Sequence, residues 1–224
     1  MKNIVITGAN RGIGLALCQH YCNNGDRVFA LCRTASPALE QTSAHVITGI
    51  DVSQADVGEK VFGVLCHHLH DQAIDLLINN AGIMHEEFLG EFDYEHMLAQ
   101  FRVNSLAPIM ISQALLPYLN KGGKIAMITS RMGSIEDNTS GGYYGYRMSK
   151  TALNIASVSL AKDIAPRGIA VAILHPGFVQ TDMVDGTGNI TAEESAAGLA
   201  ARIAETDLTN SGQFKHSDGQ SLPW

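Results

Sequence analysis

The chain has 224 residues, 46% of them hydrophobic and 17% charged, with a formal net charge of −7. That balance suits a single globular α/β domain spanning 1–224. It argues against a nucleic-acid role and against adhesion to anionic membranes. No apolar run approaches a membrane span, and Met1-Lys2-Asn3 leads straight into an apolar stretch, so neither a membrane segment nor a signal peptide is expected.

Asn3 to Thr7 reads as a short buried strand. Gly8-Ala-Asn-Arg-Gly-Ile-Gly14 follows at once, and a helical pattern runs from Leu15 to Asn24. Glycines at a strand-to-helix turn let backbone amides approach a pyrophosphate at the helix N-terminus. Gly8, Asn10, Arg11, Gly12, Ile13 and Gly14 are therefore the candidate cradle. Arg27 to Cys32 is the second strand, closed by Arg33 with no acidic residue. A carboxylate there would grip a ribose 2′-hydroxyl, whereas arginine accommodates a 2′-phosphate, and Arg11 in the first turn adds a second positive charge.

Thr34 to Ser43 is too short and too interrupted by Pro37 for a full crossover helix. Ala44 to Ile50 reads as the third strand, with Asp51-Val52 at its ligand edge, and Ser53 as the cap of a helix from Gln54 to His70. Ile74 to Ile78 is the fourth strand, running into Asn79-Asn-Ala-Gly82. Asp93 caps a helix that reads through Asn104 and Pro108 to Tyr118. Proline has no N–H to bond the Asn104 carbonyl four residues back, so the helix should break there. His67, His68 and His70 lack a carboxylate or cysteine partner at ligand spacing, and no metal site is expected. Cys18, Cys22, Cys32 and Cys66 lie within predicted helices or strands, as the reduced thiols of a cytoplasmic protein would.

Lys124 to Thr129 is a strand apolar enough for burial on both faces, and Ser130 sits at its carboxyl end, where open α/β sheets place their ligands. Tyr146-Arg-Met-Ser-Lys150 opens a long helical pattern, and Gly141, Gly142 and Gly145 place the preceding residues in or near a loop. Tyr146 and Lys150 share a helix face. One positive charge about 4 Å from the phenol, at an effective dielectric of about 20, is worth about 4 kcal/mol. That would bring a tyrosine from about 10 toward neutrality, letting Tyr146 act as acid or base on a carbonyl oxygen held by Ser130. Ile169 to Leu174 is the sixth strand, followed by His175-Pro-Gly-Phe-Val-Gln-Thr181. Residues 183–190 form a short substrate lid, Thr191 to Ala204 a last helix, and Gly212 to Phe214 a last edge strand.

The ordered set Thr7-Gly-Ala-Asn-Arg-Gly-Ile-Gly14, Asp51-Val52, Asn79-Asn-Ala-Gly82, Asn104, Ser130, Tyr146-x-x-x-Lys150, Pro176-Gly177 and Thr181 resembles the short-chain dehydrogenase/reductase family over essentially the whole chain. Ser130 to Ser134, Asn138 to Gly142, Tyr146-Arg147 and the terminal Leu222-Pro-Trp224 resemble its C-factor and sniffer-type carbonyl reductase branch. The resemblance implies a Rossmann-type, doubly wound α/β domain with a seven-stranded parallel sheet and helices on both faces. With Arg33 and Arg11 selecting the 2′-phosphate, the expected cofactor is NADP(H), the expected substrate a small carbonyl or alcohol, and the expected assembly a homodimer or homotetramer. The resemblance assigns Tyr146 as general acid/base, Lys150 as its tuning partner and a ligand of the nicotinamide ribose, and Ser130 as clamp on the substrate oxygen. Asn104 would hold a relay water. Asp51 and Val52 fall to the adenine, Asn79, Ala81 and Gly82 to the adenosine side, and Pro176 with Thr181 to the nicotinamide. A dinucleotide-binding sensor on the same fold is the alternative, which the complete set of Asn104, Ser130, Tyr146 and Lys150 disfavours.

Overall fold

The computed structural model describes residues 1–69 and 72–224. Its strands are β1 (Asn3–Thr7), β2 (Arg27–Leu31), β3 (His45–Ile47), β4 (Ile74–Asn79), β5 (Leu119–Ile128), β6 (Ala170–His175) and β7 (Phe214–His216). They form one parallel sheet in the order β3-β2-β1-β4-β5-β6-β7. The order reverses between β1 and β4, and in such sheets the crevice beyond the carboxyl ends at that point receives the ligand.

The helices are α1 (Gly12–Asn23), α2 (Pro37–Glu40), α3 (Val57–Leu69), α4 (Tyr94–Phe101), α5 (Ala107–Leu115), α6 (Tyr144–Ile164) and α7 (Ala192–Glu205). Because side chains alternate along a strand, neighbouring residues feed opposite cores. Val5, Leu77, Ile125 and Val171 pack under α3, α5 and α6. Ile4, Ile6, Ile78, Ala126 and Ala172 pack under α1 and α7. Both faces are thus covered, which is why these strands are apolar throughout rather than alternating. Among the described residues, no helix is long and apolar enough to cross a membrane.

Several boundaries differ from the sequence expectation. The second crossover is reduced to the single turn α2, capped by the Ser36 hydroxyl on the Leu39 N–H. Ser53 does not cap α3. Its N–H donates to Asp51 Oδ1 at 2.9 Å, and this local turn delays the helix to Val57. The expected end of that helix at His70 lies outside the described residues. So does one of the three histidines considered for metal; among the described residues no group of three His, Cys, Asp or Glu is arranged to hold an ion. α6 starts two residues before Tyr146, placing Gly145 inside its first turn rather than in a loop. The break at Pro108 takes the form of a π turn, Arg102–Leu106, in which the Ala107 N–H donates to the Arg102 carbonyl. One extra residue per turn accommodates the missing proline N–H, and such turns recur at functional sites. The segment 183–190, expected as a lid, is closed at its base, where Gln180 N–H donates to the Ile190 carbonyl and Asn189 N–H to that of Phe178.

Candidate active site

Four loops meet at the carboxyl edge of the sheet, and glycines set how closely they approach. Gly8 and Gly12 have φ of 66° and 51°, in the left-handed region that side chains rarely enter. A Cβ on Gly8 would lie 2.8 Å from Ala81 Cα, and one on Gly12 would lie 3.2 Å from the Thr181 methyl. The turn after β1 therefore touches both the segment after β4 and the loop after β6. Thr7, buried at the end of β1, fastens the first of these contacts: its hydroxyl oxygen accepts the N–H of Asn80 at 3.0 Å and of Ala81 at 3.1 Å. Asn80 in turn donates to the Thr7 and Gly8 carbonyls. Neither side chain was singled out from the sequence; a buried threonine closing an apolar strand was the available signal.

The remaining candidates gather around Tyr146. The π turn carries Asn104 inward, where Oδ1 accepts the Ile83 N–H at 2.9 Å and Nδ2 donates to the Ile83 carbonyl and the Ser149 hydroxyl. Its side chain clamps the backbone after Gly82 and is fully engaged in doing so. Ser149, also missed, links Asn104 to α6, since its own hydroxyl donates to the Tyr146 carbonyl. A Cβ on Gly82 would sit 3.3 Å from Asn104 Oδ1 and 3.7 Å from Lys150 Nζ, so these three groups converge. Ser130 leaves β5 in extended conformation; its Oγ accepts the Met132 N–H at 3.1 Å, and its side chain stands close enough to that of Tyr146 to act on the phenol.

The electrostatics correct the expectation for this pair. Burial pushes the Tyr146 phenol above its ordinary value, and only the neighbouring Ser130 side chain opposes that shift. Lys150 Nζ stands 5.8 Å from the Tyr146 ring centroid and donates to the Ile128 carbonyl at 3.0 Å. Its own pKa is pushed down by burial to about 8. A Coulomb estimate at fixed separation neglects desolvation, which dominates for two side chains 8% and 4% exposed.

The other candidates line the rest of the crevice. Ile13 packs from α1 onto the core beneath it. Asn79, at the end of β4, donates through Nδ2 to the Ser112 hydroxyl. Pro176 is fixed by its carbonyl, which accepts from the Ser195 and Ser217 hydroxyls. Asp51 is held below the usual carboxylate range first by the Ser53 N–H and hydroxyl and then by Arg33, so Arg33 and Asp51 are neighbours. Val52 packs against the core under α3. The Arg11 guanidinium pairs with Asp182 at 2.6 Å.

This arrangement can hold a small oxygen between a hydroxyl and a phenol at a sheet edge, with a buried ammonium close by. The short chain dehydrogenase family model matches residues 2–191. A 1-hydroxy-2-glutathionyl-2-methyl-3-butene dehydrogenase of Rhodococcus sp. (strain AD45) is 35% identical, with 100% of both chains covered. Among solved structures, carbonyl reductase Sniffer of D. melanogaster superposes with a TM-score of 0.92 at 32% identity, covering 100% of each chain. An NADPH-bound carbonyl reductase from chicken fatty liver gives 0.91 at 28% identity, covering 100% of this chain and 99% of the other. The chain belongs to the short chain dehydrogenase family of oxidoreductases.

Proposed function

We propose that this chain is an NADP(H)-dependent carbonyl reductase in which Tyr146 is the proton donor. The observation that carries the reading is the convergence of Tyr146 and Ser130 at the carboxyl edge of the sheet, beside buried Lys150 and Asn104. The crevice suits a dinucleotide on its own chemistry. The side-chain oxygens of Asn10 and Asn79 are buried with no hydrogen-bond partner among the described residues. No side chain caps the N-terminus of α1, leaving its amides for a pyrophosphate. Gly8, Asn10, Gly12, Ile13 and Gly14 would line that end, Asp51, Val52, Asn79, Ala81 and Gly82 the adenosine, and Pro176 and Thr181 the nicotinamide, while Arg11 would turn from Asp182 to the 2′-phosphate. Arg33, exposed at the end of β2, would meet the 2′-phosphate. The NADPH bound to the chicken enzyme supports the choice of cofactor.

Bound there, the nicotinamide supplies a hydride to the carbonyl carbon. Ser130 Oγ donates to the carbonyl oxygen and fixes it against the phenol. Tyr146, kept protonated by burial, passes its proton to that oxygen as the alcohol forms, which suits reduction better than oxidation at neutral pH. The resulting phenolate is stabilised by the Lys150 ammonium, still mostly charged at pH 7 with a pKa of about 8. Exposed Leu106, Met110, Met148 and Ile155 on the π turn, α5 and α6 support the expected self-association. The deciding experiment is Tyr146→Phe assayed by NADPH oxidation against quinones, aldehydes, ketones and ketoesters. Cofactor affinity should persist while turnover drops by about 10²–10⁴, the usual contribution of an acid/base group. Full activity in that variant would exclude Tyr146 as the proton donor, whereas a wild type that binds NADPH and turns over none of these substrates would favour the sensor reading.

A further inference from the structure

α6, which carries Tyr146, begins without a cap of its own. Tyr143 at its N-cap has φ 53°, in the left-handed region, and makes no side-chain capping bond. The first turn is instead held from outside by Glu87, on the segment following β4. Glu87 is 1% exposed, and among the described residues no lysine or arginine pairs with it. Its Oε2 accepts the Gly145 N–H at 3.1 Å, and its backbone carbonyl accepts the Tyr143 N–H at 2.8 Å. Oε1 accepts from Nε2 of Gln100, a fully buried residue of α4. Gln100 Oε1 accepts the His85 N–H at 2.9 Å, completing the chain of bonds. Gly145 is required by this packing, since a Cβ there would lie 2.9 Å from Glu87 Oε1 and 3.1 Å from Met97 Cα.

A buried carboxylate without a cation is costly unless every lone pair is used. Here the compensation is the positive end of α6 and the polar partners around it. We propose that Glu87 is a positioning residue for Tyr146, fixing the first turn of α6 from the opposite wall of the crevice. The inference rests on the functional reading above for what Tyr146 does. It rests only on the hydrogen-bond chain for where the helix starts.

The arrangement can be tested by exchanging the two side chains. In Glu87→Gln, the new amide faces the Gln100 amide; if Gln100 turns over, its donor meets the His85 N–H instead. One donor is stranded either way. In the double variant Glu87→Gln/Gln100→Glu, Gly145 N–H again meets an oxygen, the residue 87 amide donates to the residue 100 carboxylate, and that carboxylate accepts the His85 N–H. Glu87→Gln should reduce kcat and speed amide exchange of Tyr143 to Lys150 by about tenfold each, the equivalent of one buried hydrogen bond. NADPH affinity by fluorescence titration should hold, and the double variant should recover both losses. Unchanged exchange and kcat in Glu87→Gln would overturn the proposal, as would a double variant that recovers neither. If the single variant does not fold, a folded and active double variant supports the proposal and an unfolded one overturns it. Amide exchange does not depend on the reaction assayed. Exchange that behaves as stated beside a fully active Tyr146→Phe would sink the catalytic reading and leave the capping of α6 standing.

Discussion

Arg11 of the glycine turn and Asp182 in the loop after β6 are joined by an ion pair of 2.6 Å, with side chains 69% and 72% exposed. The pair connects the two loops that Gly12 and Thr181 already bring into contact. Exposed pairs of this kind are worth about 0–1 kcal/mol. A phosphate carrying nearly two negative charges can therefore take Arg11 from Asp182 at small expense. Asp182→Asn should tighten NADPH binding by no more than about fivefold, the equivalent of that 1 kcal/mol, and leave NADH binding unchanged. Fluorescence titration with both nucleotides checks this. An equal shift for NADH would mean that Asp182 acts through the loop after β6 and not through Arg11.

Arg33 is the stronger determinant of cofactor choice on the proposed reading, because among the described residues it forms no salt bridge, whereas Arg11 is paired with Asp182. Charge-assisted hydrogen bonds are worth about 1.5–3 kcal/mol each, so Arg33→Asp should shift the preference toward NADH by at least about tenfold. Arg11→Ala should erode the preference without reversing it, and added salt should weaken NADPH binding in the wild type. The ratio of kcat/KM for the two nucleotides at two salt concentrations is the measurement. A wild-type ratio near one, indifferent to salt, would remove both arginines from the account.

Lys150 links the site to stability. Burial lowers its pKa from 10.5 to about 8, so carrying the charge at pH 7 costs the folded state about 3 kcal/mol. Both folded and unfolded chains are protonated below pH 8, and the penalty there is complete. Between about 8 and 10.5 the folded chain sheds the proton first, and stability relative to an uncharged variant recovers. Lys150→Met, inactive or nearly so, should thus be at least as stable as wild type at pH 7, even though the Ile128 carbonyl loses its donor. That advantage should be gone by about pH 10.5, the unfolded value of lysine. Urea melts of both proteins across this range give the curve; a variant equally destabilised at every pH would refute the burial penalty.

The succession of strands and helices along the chain was legible because local patterns set it: apolar runs, Pro37 and Pro166 as breaks, glycines at turns. The Tyr146–Lys150 spacing and Ser130 at a strand end were legible for the same reason. Burial was not. The direction of the Tyr146 shift depends on how completely α6 is covered, and no window of sequence reports that. Nor could the sequence pair Glu87 with Gly145 or Arg11 with Asp182, since these partners meet only once the loops converge at the sheet edge. Ser53 illustrates a local failure: the Asp51 carboxylate accepts the Ser53 N–H and forms a turn where the helix was expected to begin.

Gly14 and Gly63 both lie in helices, α1 and α3, and the structure predicts opposite outcomes for replacing them with alanine. A Cβ on Gly14 would overlap the Gly8 carbonyl oxygen and come within 2.6 Å of Asn80 Nδ2, while one on Gly63 would meet nothing within 4 Å. Gly8 cannot retreat, because Ala81 stands against it on the other side. Gly14→Ala must therefore part α1 from the turn and break the Asn80 bonds to Thr7 and Gly8. A loss of about 3 kcal/mol or more is expected, at the upper end for overpacking, together with weaker binding of either nucleotide. Gly63→Ala should raise stability by about 0.5–1 kcal/mol, the backbone entropy a glycine gives up in a helix, and leave binding alone. Denaturant melts of the two variants decide the matter. A Gly14→Ala protein as stable as wild type would show that the glycine turn is looser than the close approach of β1, α1 and β4 requires.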